Sequence, residues 1–191
     1  MRLTPRGRAP SGVGQRRGGV ALAVGIIHDH RVLLLSEYRQ LAQRGAPFDV
    51  PVLVVGFRPQ PAPVTEFHTR TSPDRVVPPP LAVAVTEAST AIIPLTKSGR
   101  NPYGTFVFVG RGSTSDVVLR DQSVSKSHAW FEQDQGAWFV RDNRSRNGTL
   151  VDARRLPATE RVLVISGAQI TFGAFPAYFL EPGALDKVLA G

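Results

Sequence analysis

Residues 105–151 read TFVFVGRGSTSDVVLRDQSVSKSHAWFEQDQGAWFVRDNRSRNGTLV, and this stretch decides the fold. Short apolar runs, Thr105 to Val109, Val117 to Leu119, Ala129 to Glu132, Ala137 to Arg141 and Thr149 to Val151, are separated by Gly, Ser, Asn and Asp turns. Runs so short and so regularly punctuated read as strands. Working outward, Val162 to Val164, Gln169 to Phe172 and Ala177 to Leu180 continue the texture downstream, and Ala91 to Leu95 begins it upstream. No long helical period interrupts it and no internal repeat is present. Half-apolar strands must bury one face, so the spacing predicts an all-β fold, a twisted and mainly antiparallel β-sandwich over Ala91 to Leu180.

Three polar clusters fall between these strands: Gly110-Arg111, Ser125-Lys126-Ser127-His128 and Ser145-Arg146-Asn147-Gly148-Thr149. Loops held by a rigid sandwich are where binding residues collect, and all three clusters are expected at one end. The residue types suit a phosphate monoester, which carries close to two negative charges and needs a fixed cation with several donors. Arg111 offers a planar guanidinium able to give two parallel bonds, and Ser125 a hydroxyl donor. Lys126 adds a point charge or a backbone N–H. The Asn147 amide can hold a peptide backbone beside the phosphoresidue. Taken singly, Arg111 is a solvated strand-end charge, Ser125 closes a turn, and Asn147-Gly148 is a hairpin turn. Their joint and ordered occurrence makes the case.

A Gly-Arg pair, a Ser-x-x-His block and an Asn-Gly pair in that order resemble the forkhead-associated (FHA) family. Ser115 to Leu119 and Val124 to Ala129 look like that family's flanking strands, and Thr171-Phe172-Gly173 like its late strand and turn. The resemblance covers about residues 91–181. It implies an FHA-like sandwich that binds phosphothreonine peptides and acts as a non-catalytic signalling adaptor or scaffold, with preference for phosphothreonine over phosphoserine. It assigns phosphopeptide contacts to Arg111, Ser125 and Asn147, and support of the site to Gly110, His128 and Gly148. Arg146 departs from the family pattern, where threonine or serine often gives a further phosphate contact, and substitutes a second positive charge. The implied partner is a threonine-phosphorylated protein, either a substrate of a Ser/Thr kinase or the kinase itself. Gly112, Ser113, Thr114 and Ser123 lie in loops that could meet the residues after the phosphothreonine.

Nothing in the chain resembles an enzyme site: there is no P-loop, no kinase signature and no Gly-x-Ser-x-Gly elbow. Neither a cofactor nor a metal is expected, since Gly12-x-Gly14 lacks a preceding strand and His28-x-His30 stands beside an arginine-rich arm. The chain has no cysteine, which excludes disulfides and thiolate chemistry. The formal charge of +8 raises the alternative of nucleic-acid binding. Five of those charges, Arg2, Arg6, Arg8, Arg16 and Arg17, precede residue 18, whereas Asn101 to Gly183 holds nine basic against eight acidic residues. The basicity belongs to the arm, so nucleic acid is not an expected partner of the sandwich. A phosphate-independent scaffold is the other alternative. Arg16-Arg17 before the apolar run Gly19 to Ile27 superficially looks like an export signal. That run is too short to span a bilayer and lacks a cleavage site, so a cytoplasmic location without membrane contact is expected.

The expected organisation is a basic flexible arm over 1–29, a short helix-strand extension over 30–57, a Pro-rich linker over 58–89, the FHA domain over 90–182 and a short tail over 183–191. Asp29 is a candidate cap for a helix from Arg31 to Gln43 that Gly45 ends. Phe48 to Phe57 reads as a strand, with Pro51 arguing for an edge position. Prolines 59, 61, 63, 73 and 78 to 80 exclude a packed element in the linker. A short helix is expected after Ala184.

Overall fold

The computed structural model describes residues 32–45, 48–56 and 90–190. The arm, the Asp29 cap and the Pro-rich segment lie outside them. Two β-sheets face each other. One contains β1 (Leu33–Leu34), β2 (Val52–Val55), β3 (Ala91–Pro94), β8 (Thr149–Val151), β9 (Arg154–Arg155), β11 (Gln169–Phe172) and β12 (Phe175–Leu180), in the order β1-β3-β2-β12-β11-β8-β9. The other contains β4 (Val107–Gly110), β5 (Val117–Val118), β6 (Ala129–Asp134), β7 (Ala137–Asp142) and β10 (Val162–Val164), in the order β10-β7-β6-β4-β5. The ladders are antiparallel except β4 with β5, which is parallel. The predicted sandwich is therefore present. All nine strands expected between Ala91 and Leu180 appear, Val117 to Leu119 and the others shifted only at their ends.

Alternation builds the core. In β6, Ala129 and Phe131 point between the sheets while Trp130 faces outward, and in β12 Ala177 and Phe179 point inward. Phe131 stacks on Phe179 with centroids 6.0 Å apart and meets Phe172 edge-on at 6.4 Å, so one ring from the five-stranded sheet is clamped by two from the other.

Alternation fails in β2, where all four residues are buried, and the reason is a second layer. Leu53 and Val55 enter the inter-sheet core, whereas Val52 and Val54 join Ile92, Tyr178 and Leu180 on the opposite face. Helix α1 (Leu35–Ala42) covers that face with Leu35 and Tyr38, and α2 (Ala184–Ala190) adds Leu185. The Tyr38 hydroxyl donates to Asp186 Oδ1 across 3.0 Å, linking the two helices. A strand buried on both faces has to be apolar throughout, which is what Val-Leu-Val-Val supplies.

Two expectations are corrected here. Strand β2 is not at an edge; it pairs with β3 on one side and β12 on the other. Pro51 is compatible because it precedes the strand and offers only a carbonyl, which accepts the Leu95 N–H at 2.8 Å. The helix starts at Leu35 and not at Arg31, because Leu33 and Leu34 pair with Ile92 and Ala91 as a strand. The Glu37 carboxylate then accepts the Leu34 N–H at 2.8 Å and closes the first turn. The helix ends at Ala42 with Gln43 as its cap, two residues before the expected Gly45, which follows in the turn with its N–H on the Ala42 carbonyl.

Strand β9 has no counterpart in the sequence reading. It is joined to β8 by Asp152 and Ala153, both at positive φ (48° and 64°). A two-residue hairpin of that geometry normally announces itself as Asn-Gly, so Asp-Ala conceals it.

Candidate functional site

The three polar clusters meet at one end of the sandwich, as the end-of-strand placement required. Arg111 follows β4; its N–H bonds the Ser125 carbonyl at 2.8 Å and its Nε the Val124 carbonyl at 3.2 Å. The Gly112 N–H and the Ser115 hydroxyl both bond the Lys126 carbonyl, at 2.9 and 3.1 Å. Gly110 is required at the end of β4, since a Cβ there would collide with that same carbonyl. The first cluster is thus sewn onto the second along the backbone.

Ser125 connects the second cluster to the third. Its Oγ accepts the Arg146 N–H at 2.9 Å, which occupies oxygen lone-pair density and leaves the hydroxyl hydrogen to be donated elsewhere. Asn147 gives one Nδ2 hydrogen to the Ser123 carbonyl at 2.7 Å and is itself exposed. The Ser127 hydroxyl accepts from Asn143 Nδ2 at 2.8 Å.

His128 is fully buried beneath this junction. Its Nδ1 accepts the Ser125 N–H at 2.9 Å, so the ring proton sits on Nε2 and donates to the Gly148 carbonyl at 3.1 Å. One neutral imidazole therefore ties the serine loop to the Asn-Gly loop, and its edge packs on the Phe172 ring at 5.8 Å. Burial pushes its pKa below the ordinary histidine value, outweighing the opposite pull of the Gly148 carbonyl and the Asp142 carboxylate. His128 has no path to a phosphate.

Sequence reasoning missed the residue that shapes the third loop. Asp142 is buried at the end of β7 and accepts three bonds: from the Ser145 N–H at 2.9 Å, the Ser145 hydroxyl at 2.6 Å and the Thr149 hydroxyl at 2.7 Å. Ser145 Oγ accepts in turn from the Gly148 N–H at 2.9 Å. The legible signal was an Asp three residues before a Ser at a strand end, a local turn former. Arg155 of β9 was missed as well. Its Nη1 donates to the Asn147 carbonyl at 3.0 Å, beside Gly148, whose φ of 82° favours glycine.

Ser123 is bound inward: its hydroxyl donates to Asp121 at 2.6 Å and accepts the Ala174 N–H at 2.9 Å. It anchors the loop. Behind the site, buried Asp116 accepts from the N–H groups of Ser98 and Phe108, the Ser98 hydroxyl, Asn101 and Lys97, at 2.8 to 3.0 Å. Burial alone would raise its pKa, but the bonds from Ser98, Phe108 and Asn101 hold it below the usual carboxylate value. Among the described residues no cluster of His, Asp and Glu could hold a metal ion, and no helix is long and apolar enough to cross a membrane.

A sequence model of the FHA domain matches residues 107–173, the span of all three clusters. The chain is 35% identical over 103 residues to the oxoglutarate dehydrogenase inhibitor of Corynebacterium diphtheriae, covering 51% of this chain and 70% of that relative. It is 32% identical over 117 residues to the ABC transporter ATP-binding/permease protein Rv1747 of Mycobacterium tuberculosis, where the match spans 57% of this chain and only 13% of the relative. Among solved structures, the MEK1 FHA domain superposes with a TM-score of 0.42 at 17% identity, over 74% of this chain and 98% of that one. The chain belongs to the FHA-domain family.

Proposed function

We propose that this chain is a non-catalytic binding module for threonine-phosphorylated peptides, and that it acts as a signalling adaptor in the cytoplasm. Arg111, Ser125 and Lys126 hold the phosphate, with Arg146 beside them, and Asn147 holds the peptide backbone. The observation that carries the reading is the Arg146 N–H on Ser125 Oγ, which joins two separate loops and directs the serine hydroxyl as a donor. Arg111 supports it: Nε is spent on the Val124 carbonyl, and no described acceptor takes its terminal amino groups, which are the pair that grips a phosphate. The partner is a protein phosphorylated on threonine by a Ser/Thr kinase, or the kinase itself. The name of the Corynebacterium relative, an inhibitor of an enzyme, fits regulation by binding.

Calorimetric titration with one peptide in phosphothreonine and unphosphorylated forms tests the reading. Binding of the phosphorylated form alone is expected, and equal affinity for the two would establish a phosphate-independent scaffold instead.

A further inference from the structure

The two outer faces of the sandwich differ. Helices α1 and α2 cover the seven-stranded sheet with Leu35, Tyr38 and Leu185, whereas the five-stranded sheet presents aromatic rings to solvent. Phe108 of β4 and Trp130 of β6 are paired in the ladder, with ring centroids 5.8 Å apart. Tyr103 stands 5.3 Å from Phe108, and Phe106 stands 6.4 Å from Trp130. Tyr103 is 60% exposed and Phe106 37%. These four rings line an open cleft of about 570 Å³, within the range of roughly 300–1,000 Å³ typical of ligand clefts.

Buried bonds hold the outer wall of the cleft in place. Buried Asp116 accepts from Asn101 Nδ2 at 2.8 Å and from Lys97 Nζ at 3.0 Å. Asn101 Oδ1 in turn accepts the Tyr103 N–H at 3.2 Å, and Lys97 Nζ donates to the Phe106 carbonyl at 3.0 Å. The segment that carries Tyr103 and Phe106 is thus fastened to a buried carboxylate. Its rings are ordered before a ligand arrives, which lowers the entropic cost of binding.

The lining decides what fits. No charged side chain lines the cleft, so a lysine or arginine of a partner would meet ring faces with no carboxylate beside them. Two donors, the Trp130 indole N–H and the Tyr103 hydroxyl, are taken by no acceptor among the described residues. A matching ligand is neutral, stacks through flat apolar surfaces and exposes carbonyls without N–H groups of its own. A run of prolines in the polyproline II helix has these properties, with no internal hydrogen bonds and little chain entropy left to lose. The cleft also borders the phosphate loops, since Ser127 and Asn143, bonded to each other at 2.8 Å, form one of its rims. One partner can therefore reach both places.

We propose that this cleft is a second docking site, which takes a proline-rich segment of a partner protein and does not require phosphorylation. It does not depend on the phosphothreonine reading of the loops.

The test titrates the full chain with capped decaproline and with a capped ten-residue peptide of alternating glycine and serine. Decaproline alone should bind saturably, with an affinity that hardly changes with salt because no charge lines the cleft. Tyr103→Ala, which removes an exposed wall, should abolish that binding. Trp130→Phe should weaken it by roughly fivefold, the loss of one hydrogen-bond donor. Both variants should keep the parent's melting temperature and its affinity for a phosphothreonine peptide. Decaproline binding of equal strength in the parent and Tyr103→Ala overturns the proposal, as does equal binding of both peptides by the parent. If decaproline binds only when Pro78→Ser, Pro79→Ser and Pro80→Ser are combined, the cleft belongs to this chain's own proline run and the partner is overturned. Absence of binding in that triple variant and in the parent alike overturns the site itself. Joint loss of decaproline and phosphothreonine-peptide binding in Tyr103→Ala, at an unchanged melting temperature, makes the cleft part of the phosphate site and overturns its independence.

Discussion

At the scale of single residues, the site separates side chains that would meet a ligand from those that hold them. Arg111 is exposed and its side chain is bonded through Nε alone, so Arg111→Ala should leave the melting temperature unchanged while costing about 2–5 kcal/mol of phosphopeptide affinity. A micromolar complex then becomes too weak to measure by titration. Ser125→Ala should cost less, since a single hydrogen bond to a charged group is worth about 1.5–3 kcal/mol. His128 is the opposite case. His128→Ala strands the Ser125 N–H and the Gly148 carbonyl in a buried place, so melting temperature and affinity should fall together. An unchanged melting curve for His128→Ala would contradict the bridging role.

At the scale of elements, β2 joins regions far apart in the chain. It lies between β3 and β12, and its residues contribute to both apolar layers. We predict that a fragment beginning at Ala91 does not fold, although it holds every binding cluster, because the ladder from Val52–Leu180 to Val55–Ala177 would be missing. Leu53→Ala in the full chain should cost about 2–5 kcal/mol, the usual effect of emptying a core site. Circular dichroism of the fragment and denaturant titration of the variant check both. A fragment with a cooperative transition and native phosphopeptide affinity would show that β2 and α1 only decorate the sandwich.

At the scale of the whole molecule, two buried groups set the response to acid. His128 is neutral in the fold and has a pKa below its unfolded value, so below about pH 6.5 the unfolded chain binds a proton that the folded chain refuses. Stability is therefore complete above that pH and falls with acidification, by at most about 1.4 kcal/mol per pH unit for one proton. Asp116 adds a second loss below about pH 4, where the unfolded carboxyl protonates before the folded one, which its hydrogen bonds hold ionised. Denaturant titrations across pH should show both steps. In His128→Gln the upper one should be absent, and a slope there identical to the parent would rule the assignment out.

The amino-acid sequence by itself determined the sandwich and the gathering of three clusters at its end, because strand alternation and turn residues are local properties that survive without knowledge of any partner strand. The order Gly110-Arg111, Ser125 to His128, Asn147-Gly148 was legible for the same reason: each cluster sits where a strand must stop. Only the tertiary structure decided that Val52–Val55 is an interior strand, since its continuous apolar run suits a core helix segment, an edge or a centre equally, and pairing with residues beyond 176 has no local mark. It also decided that Arg155 belongs to the site. Its hairpin turns on Asp152 and Ala153 with no glycine to announce it, and the guanidinium reaches Asn147 only because β9 folds back on β8.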